Sequence, residues 1–226
     1  MSPLVKICGI KTPDALDAAV EAGADLVGFV FFPASPRDVG FGNAGELGRR
    51  VQGRVGKVAL TVDADDAAFE RIVAELQPDM LQLHGKESPE RVAMLKRRFG
   101  LPVIKAIPVE TADDLGAVAL YAKVADRLLF DARAPRDATR PGGLGKAFDW
   151  SLLRNVDPGL SYMLSGGLDA ENVTEALRIT RAPGVDVSSG VERAPGEKDS
   201  EKIRTFVRTA RAAAAGLTNA KVASRA

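Results

Sequence analysis

The 226-residue chain sets 31 Lys and Arg against 30 Asp and Glu, a formal net charge of +1, without the basic excess or stripe of a nucleic-acid domain. Its 46% hydrophobic and 27% charged residues suit a globular protein with one sizeable core, and no apolar run approaches the roughly 20 residues that span a bilayer. One cysteine and one histidine exclude an internal disulfide and leave no ligand set for a zinc cage, and the N-terminus lacks a signal-peptide pattern. The expectation is a cytoplasmic protein with no metal, no nucleic-acid partner and no membrane partner.

Short β-rich runs alternate with helical patterns along the whole chain. LVKIC (4–8) is the first predicted strand, ending on Cys8, and Thr12-Pro13 caps the helix after it with Pro at the first helical position. DLVGFVFF (25–32) is the second strand, and FFPASPR (31–37) leaves it through two prolines to present Arg37. GKVALTV (56–62) and DMLQLH (79–84) follow, the latter ending on His84, with Ser88-Pro89 capping the next helix. PVIKAI (102–107) precedes another N-cap, Thr111 with Asp114 three residues on. DRLLFD (126–131) closes on Asp131, LSYMLS (160–165) runs into LSGGLDAENV (164–173), where Asp169 opens a helix, and GVDVSS (184–189) runs into VSSGVER (187–193).

Eight strand–helix units in about 210 residues leave roughly 27 per unit, which predicts a single-domain (β/α)8 TIM barrel. The rival is a doubly wound open sheet, and its G-x-G-x-x-G fingerprint does not follow the first strand. The barrel is expected to occupy residues 1–211. The Ala-rich end, 212–226, has no capping signal or apolar period after Leu217 and reads as a frayed tail.

In a barrel, chemistry comes from the C-terminal ends of the strands and the loops after them. Side chains alternate along a strand, so an inward Cys8 puts Lys6 and Leu4 inward beneath it and Val5 and Ile7 against the helices. Cys8 is either a small buried hydrophobe or a base. A thiol serves as a base only as thiolate, which Lys6 and the helix start at Thr12 would favour. Asp131 is either an N-cap or loop anchor, or a site acid whose apolar neighbours keep a proton available for donation. Arg37 is either a solvated surface charge or a fork for a planar carboxylate. The turns at Gly166-Gly167 and Ser189-Gly190 follow strands seven and eight, where such barrels build phosphate sites from backbone N–H groups. TRPGGLGKAFDW (139–150) imitates a P-loop but has Arg140 and Ala147 where the motif needs Gly and Ser or Thr. It is a surface loop or a lid after strand six. His84 is expected to be a hydrogen-bonded structural group. Lys105, Gln82 and Asp186 are expected to point inward with Lys6 as a polar layer filling the barrel.

Taken together, KICGI, GFVFFPASPR, LQLHG, LLFDAR with PGGLGKAFDW, LSGGLDAENV, and VDVSSGVE with PGEKD resemble the phosphoribosylanthranilate isomerases of tryptophan biosynthesis. The likeness runs in order from about residue 4 to 211. Glu197 and the Ala-rich end fall outside any pattern and leave the site untouched. The resemblance implies a cofactor-free Amadori rearrangement of N-(5-phosphoribosyl)anthranilate, a small phosphosugar substrate, in a monomer or homodimer. It implies Asp131 as general acid, Cys8 as general base, Arg37 on the anthranilate carboxylate, and the 5-phosphate on backbone amides around Gly166, Gly167, Ser189 and Gly190. A barrel isomerase of histidine biosynthesis would be expected to end strand one in a carboxylate and to carry a second phosphate turn after strand three or four. A phosphosugar-binding barrel without chemistry would have no reason to keep both Cys8 and Asp131.

Overall fold

Runs rich in Val, Ile, Leu and Phe, each too short for a stable helix, become strands buried on both faces. In the computed structural model, which describes residues 2–223 except 52, 136, 139 and 158, with side chains at 214 and 217–223 also left out, eight such strands pair in parallel. They are β1 (Leu4–Cys8), β2 (Leu26–Phe31), β3 (Gly56–Thr61), β4 (Met80–Leu83), β5 (Val103–Val109), β6 (Arg127–Ala132), β7 (Tyr162–Leu164) and β8 (Gly184–Val187). Each pairs with the next, and β8 returns to β1 with Lys6 opposite Asp186, closing the barrel. The (β/α)8 barrel predicted from the alternation is the observed fold.

Helices cover the barrel where the sequence supplies caps. α1 (Pro13–Glu21) begins after Thr12, whose hydroxyl accepts the Ala15 N–H. α4 (Pro89–Phe99) begins after Ser88, which accepts from Arg91 N–H, and ends at Gly100 in the left-handed region at φ 65°. α2 (Phe41–Val51) and α3 (Asp66–Leu76) lie between them. The cap at Thr111 is present, with the Asp114 carboxylate accepting the Thr111 N–H at 2.9 Å, but it opens a 3-10 segment and the single turn α5 (Val118–Tyr121). α6 (Val173–Thr180) starts later than expected. Asp169 does not open it but accepts the N–H groups of Glu171 and Asn172 in the turn before.

The sixth unit departs furthest from the expected repeat. Pro135, Pro141 and Gly142, Gly143 and Gly145 prevent a helix after β6, and the chain reaches only a 3-10 turn at Trp150–Leu153. A small hairpin, β9 (Glu192–Ala194) and β10 (Glu197–Lys198), sits between β8 and the last helix. That helix, α7 (Ser200–Ala223), continues through the segment expected to fray from residue 212. Its alanines have the highest helix propensity and need no cap to extend it. Residues 224–226 lie outside the described set. No described helix is long and apolar enough to cross a membrane.

The two-residue period of the strands divides the core into two layers. Val5, Ile7, Phe29, Val103, Phe130 and Val185 face outward against Leu16, Ile72 and Phe206 of the helices. Val58, Ile104, Ala106, Leu129 and Met163 fill the barrel, with Leu4 packed on them. Lys6 is fully buried in this interior and bonds Asp186 Oδ1 at 2.8 Å, while Ser165 Oγ donates to Asp186 Oδ2 at 3.3 Å. Lys105 is not part of that layer. Its neighbours Ile104 and Ala106 take the inward positions, so its ammonium leaves the barrel for Glu87 at 2.9 Å and the Gly85 carbonyl at 2.7 Å.

A buried pair is costly to break on one side only. Asp186→Ala leaves the Lys6 charge unmatched and is expected to cost about 3–5 kcal/mol in urea unfolding, whereas Lys6→Met with Asp186→Leu restores most of it. A loss below about 1 kcal/mol for the single substitution would show that the pair does not hold the barrel interior.

Candidate active site

At the C-terminal ends of the strands one pocket is lined by Cys8, Arg37, His84, Asp131, Gly166, Gly167 and Ser189. Cys8 ends β1 with 4% of its surface exposed. Gly28 on β2 makes room for it, because a Cβ there would stand 2.8 Å from Cys8 Sγ and 3.1 Å from Lys6 Nζ. Val30, Leu60, Phe32 and Val62 pack around the thiol as an apolar wall. Burial pushes the Cys8 thiol above its ordinary value, and Asp186 adds to this, against the opposing pull of Lys6 and Lys198. The expected bias of Lys6 toward thiolate is therefore real in sign but smaller than the cost of desolvating the anion.

Asp131 ends the inward row of β6, 5% exposed, and caps no helix. Its Oδ1 accepts the Ala132 N–H at 3.0 Å, and its Oδ2 lies 3.1 Å from His84 Nε2. His84 is hydrogen-bonded as expected, but its partners place it in the site. Nδ1 is 3.1 Å from Gln82 Nε2, two residues back on the same face of β4.

Arg37 is buried rather than solvated, and its fork already has an occupant. Nε and Nη2 donate to the two carboxylate oxygens of Glu192 at 2.8 Å each, and Nη2 also donates to the Gly143 carbonyl at 3.1 Å. Nη1 makes no hydrogen bond among the described residues. Glu192 is held in turn by Lys198 Nζ at 2.8 Å, and Arg37 and Lys198 bring its carboxyl below the usual range despite its burial. Burial pulls Lys198 itself down to about 8 against the opposing effect of Glu192. Lys198 also donates to Ser188 O at 2.9 Å, and the Ser188 hydroxyl donates to the Cys8 carbonyl at 3.1 Å. Composition gives no sign of this chain of contacts. Its only trace in the sequence is the pairing of VSSGVER with PGEKD.

The two glycine turns lie side by side. Gly166 and Gly167 adopt φ +83° and +65°, and a Cβ on Gly190 would collide with the Leu168 carbonyl just beyond them. Asn172 Nδ2 takes the Gly167 carbonyl at 2.8 Å, while the N–H groups of Gly166, Gly167, Ser189 and Gly190 make no turn or loop hydrogen bond among the described residues. Free amides beside a left-handed glycine pair are the backbone arrangement that accepts an anion. The loop after β6 covers the pocket. Gly142 lies against the His84–Asp131 contact, Gly143 against Arg37, and Lys146 and Ala147 against Gly167, each so close that a Cβ on the glycine would clash.

A closed parallel barrel with its pocket at the strand C-termini places this chain among the TIM-barrel enzymes. Comparison narrows the class to one family. The sequence model described as N-(5'phosphoribosyl)anthranilate (PRA) isomerase matches residues 5–209, and the chain belongs to that family, whose reaction is the Amadori rearrangement of tryptophan biosynthesis. It is 65% identical to the N-(5'-phosphoribosyl)anthranilate isomerase of Bradyrhizobium sp. over 94% of this chain and 97% of that one. The Nitrobacter hamburgensis enzyme of the same name is 61% identical over 97% and 98%. The crystal structure of phosphoribosyl anthranilate isomerase from Thermotoga maritima superposes with a TM-score of 0.84 at 36% identity, covering 94% of this chain and all (100%) of that one. A phosphoribosyl anthranilate isomerase in complex with reduced 1-(o-carboxyphenylamino)-1-deoxyribulose 5-phosphate superposes at 0.81 with 33% identity, covering 94% and 100%.

The raised thiol makes a prediction that needs no substrate. Thiolate absorbance in the ultraviolet should develop with a midpoint above the ordinary thiol value of about 8.5. Lys6→Met should move it further up, since a cation that opposes the rise is lost. A midpoint below the ordinary value would show that the cations outweigh burial.

Proposed function

We propose that this chain isomerises N-(5'-phosphoribosyl)anthranilate with its own acid and base and no cofactor. Asp131 gives its proton to the furanose ring oxygen, the C1′–O bond breaks, and the anthranilate nitrogen lone pair closes an iminium at C1′. Cys8 as thiolate takes the C2′ proton, and the electron pair of that bond neutralises the iminium to give the enolamine. Return of a proton to C1′ and loss of the C2′ hydroxyl proton give the 1-amino-1-deoxy ketone. C1′ and C2′ exchange oxidation level within one molecule, so no electron acceptor or donor is required. A cationic iminium beside Sγ also offsets the desolvation that keeps the free thiol protonated.

The observation that carries this reading is the placement of Cys8 and Asp131, on strands one and six, in the wall of one pocket. The 5-phosphate lies on the amides of Gly166, Gly167, Ser189 and Gly190, and the anthranilate ring packs on Val30, Phe32, Leu60 and Val62. Arg37 meets the anthranilate carboxylate through Nη1, a single-point contact, because Glu192 occupies the other face of the fork. The pocket is built entirely from residues before 211. A single unpaired cysteine supports a cytoplasmic location.

Cys8→Ser and Asp131→Asn are each expected to lower kcat by about 10²–10⁴-fold with KM little changed, since neither holds the substrate's charges. In the wild type kcat/KM needs Cys8 deprotonated and Asp131 protonated together, so it rises with pH as Cys8 loses its proton and falls as Asp131 loses its own. Steady-state assay by loss of substrate fluorescence decides it; a Cys8→Ser enzyme with more than about a tenth of wild-type kcat would leave the thiol as packing only.

Arg37→Lys is expected to raise KM about tenfold or more, because a point charge cannot hold Glu192 and the ligand together. An unchanged KM would remove Arg37 from the binding site.

A further inference from the structure

The hydrogen bonds around His84 form a directed chain with an orphan at its far end. Gln82 Nε2 donates to His84 Nδ1 at 3.1 Å, leaving the other ring nitrogen to meet Asp131 Oδ2 at 3.1 Å. Gln82 is fully buried, and its Oε1 has no hydrogen-bond partner among the described residues. A glutamine kept only to fill the barrel is a poor choice there. An orphaned buried amide oxygen costs about 1–3 kcal/mol, which a leucine of similar volume would avoid. Its nitrogen, by contrast, has a use.

We propose that Gln82 and His84 are positioning residues for the general acid: Gln82 fixes the ring as the Nε2–H tautomer, and His84 donates that proton to Asp131 Oδ2. This rests on Asp131 being the acid. An imidazole already accepting at Nδ1 has Nε2–H as its only remaining polar group, so it always presents a donor to the carboxyl. That donor, with the Ala132 N–H on Oδ1, fixes the plane of the carboxyl group. It also receives the charge left on Asp131 when the acid proton has gone to the ring oxygen. Gly142 closes over the contact, with no room for a Cβ beside Oδ2 or Nε2.

His84 is the only histidine in the chain, so its ring nitrogens can be read without ambiguity in a long-range proton–nitrogen spectrum of the intact protein. In the neutral ring the proton is expected on Nε2, and in Gln82→Leu the two tautomers are expected to mix. A proton on Nδ1 in the wild type, or an unchanged spectrum in Gln82→Leu, would overturn the proposal. Kinetically, His84→Leu is expected to lose about 10–100-fold in kcat with KM within about twofold. His84→Gln, whose amide N–H reaches toward the same oxygen, is expected to stand at least about fivefold above it. Gln82→Leu is expected to be at least as stable as the wild type yet slower. Equal kcat for the Leu and Gln variants at 84, or a wild-type rate in His84→Leu, would make the role merely structural. Because the tautomer is read without substrate, failure of this chain is distinct from failure of Asp131 as acid, which the Asp131→Asn enzyme reports.

Discussion

Closure of eight parallel strands imposes one constraint on everything at the top of this barrel. Once β8 pairs with β1 through Lys6 and Asp186, the inward row of every strand is fixed by the two-residue period, and nothing can be re-aimed without losing the ladder. Cys8, Asp131, His84 and Ser165 each stand two residues beyond an inward residue of their own strand, Lys6, Leu129, Gln82 and Met163. The ion pair between Lys6 and Asp186 spans the closing seam, so the residues that shut the barrel also act on the thiol. Stability and chemistry are coupled there through the same two side chains.

Burial is the second organising force, and it acts on each group with a different sign. It raises the thiol of Cys8 and lowers the ammonium of Lys198 to about 8, so it pushes both toward neutrality. Pairing resists this wherever a partner is within hydrogen-bond distance. Glu192 stays in the anionic range because two cations face it, and Lys6 is held above the usual lysine value, against its own burial, by Asp186 and Cys8. For the thiol, the opposing pull of Lys6 and Lys198 does not overcome burial, so it stays protonated more readily than a free thiol. In the proposed mechanism this suits a base that gains its charge as a cationic intermediate forms beside it.

The glycine-rich loop after β6 and the glycine turns after β7 and β8 solve a common problem of close approach. Gly142, Gly143, Gly166, Gly167 and Gly190 each bring backbone to within a distance that any Cβ would forbid. Side chains buried beneath them are thereby covered by main chain without a bulky group entering the pocket. Burial strengthens the Arg37–Glu192 and His84–Asp131 contacts, and the free amides of the turns remain available to an anion.

Much of this was legible from the sequence by itself. Strand order, barrel closure, the inward placement of Leu4, Lys6 and Cys8, and the caps at Thr12 and Ser88 follow from periodicity and local hydrogen bonding, which act over a few residues. The family and its reaction followed from motifs spread along the chain. Other features depended on pairing between distant segments. Lys105 leaves the barrel because Ile104 and Ala106 take the inward positions. Asp169 yields the helix start to Val173. The proline- and glycine-bearing sixth unit forgoes its helix, and α7 runs on through the alanines. Above all, Glu192 captures the Arg37 fork across 155 residues and His84 meets Asp131 across 47. Sequence specifies which groups are present and which way each strand points them; only the closed fold decides which charges become neighbours, because those contacts carry no local pattern and arise from the geometry of the whole ring.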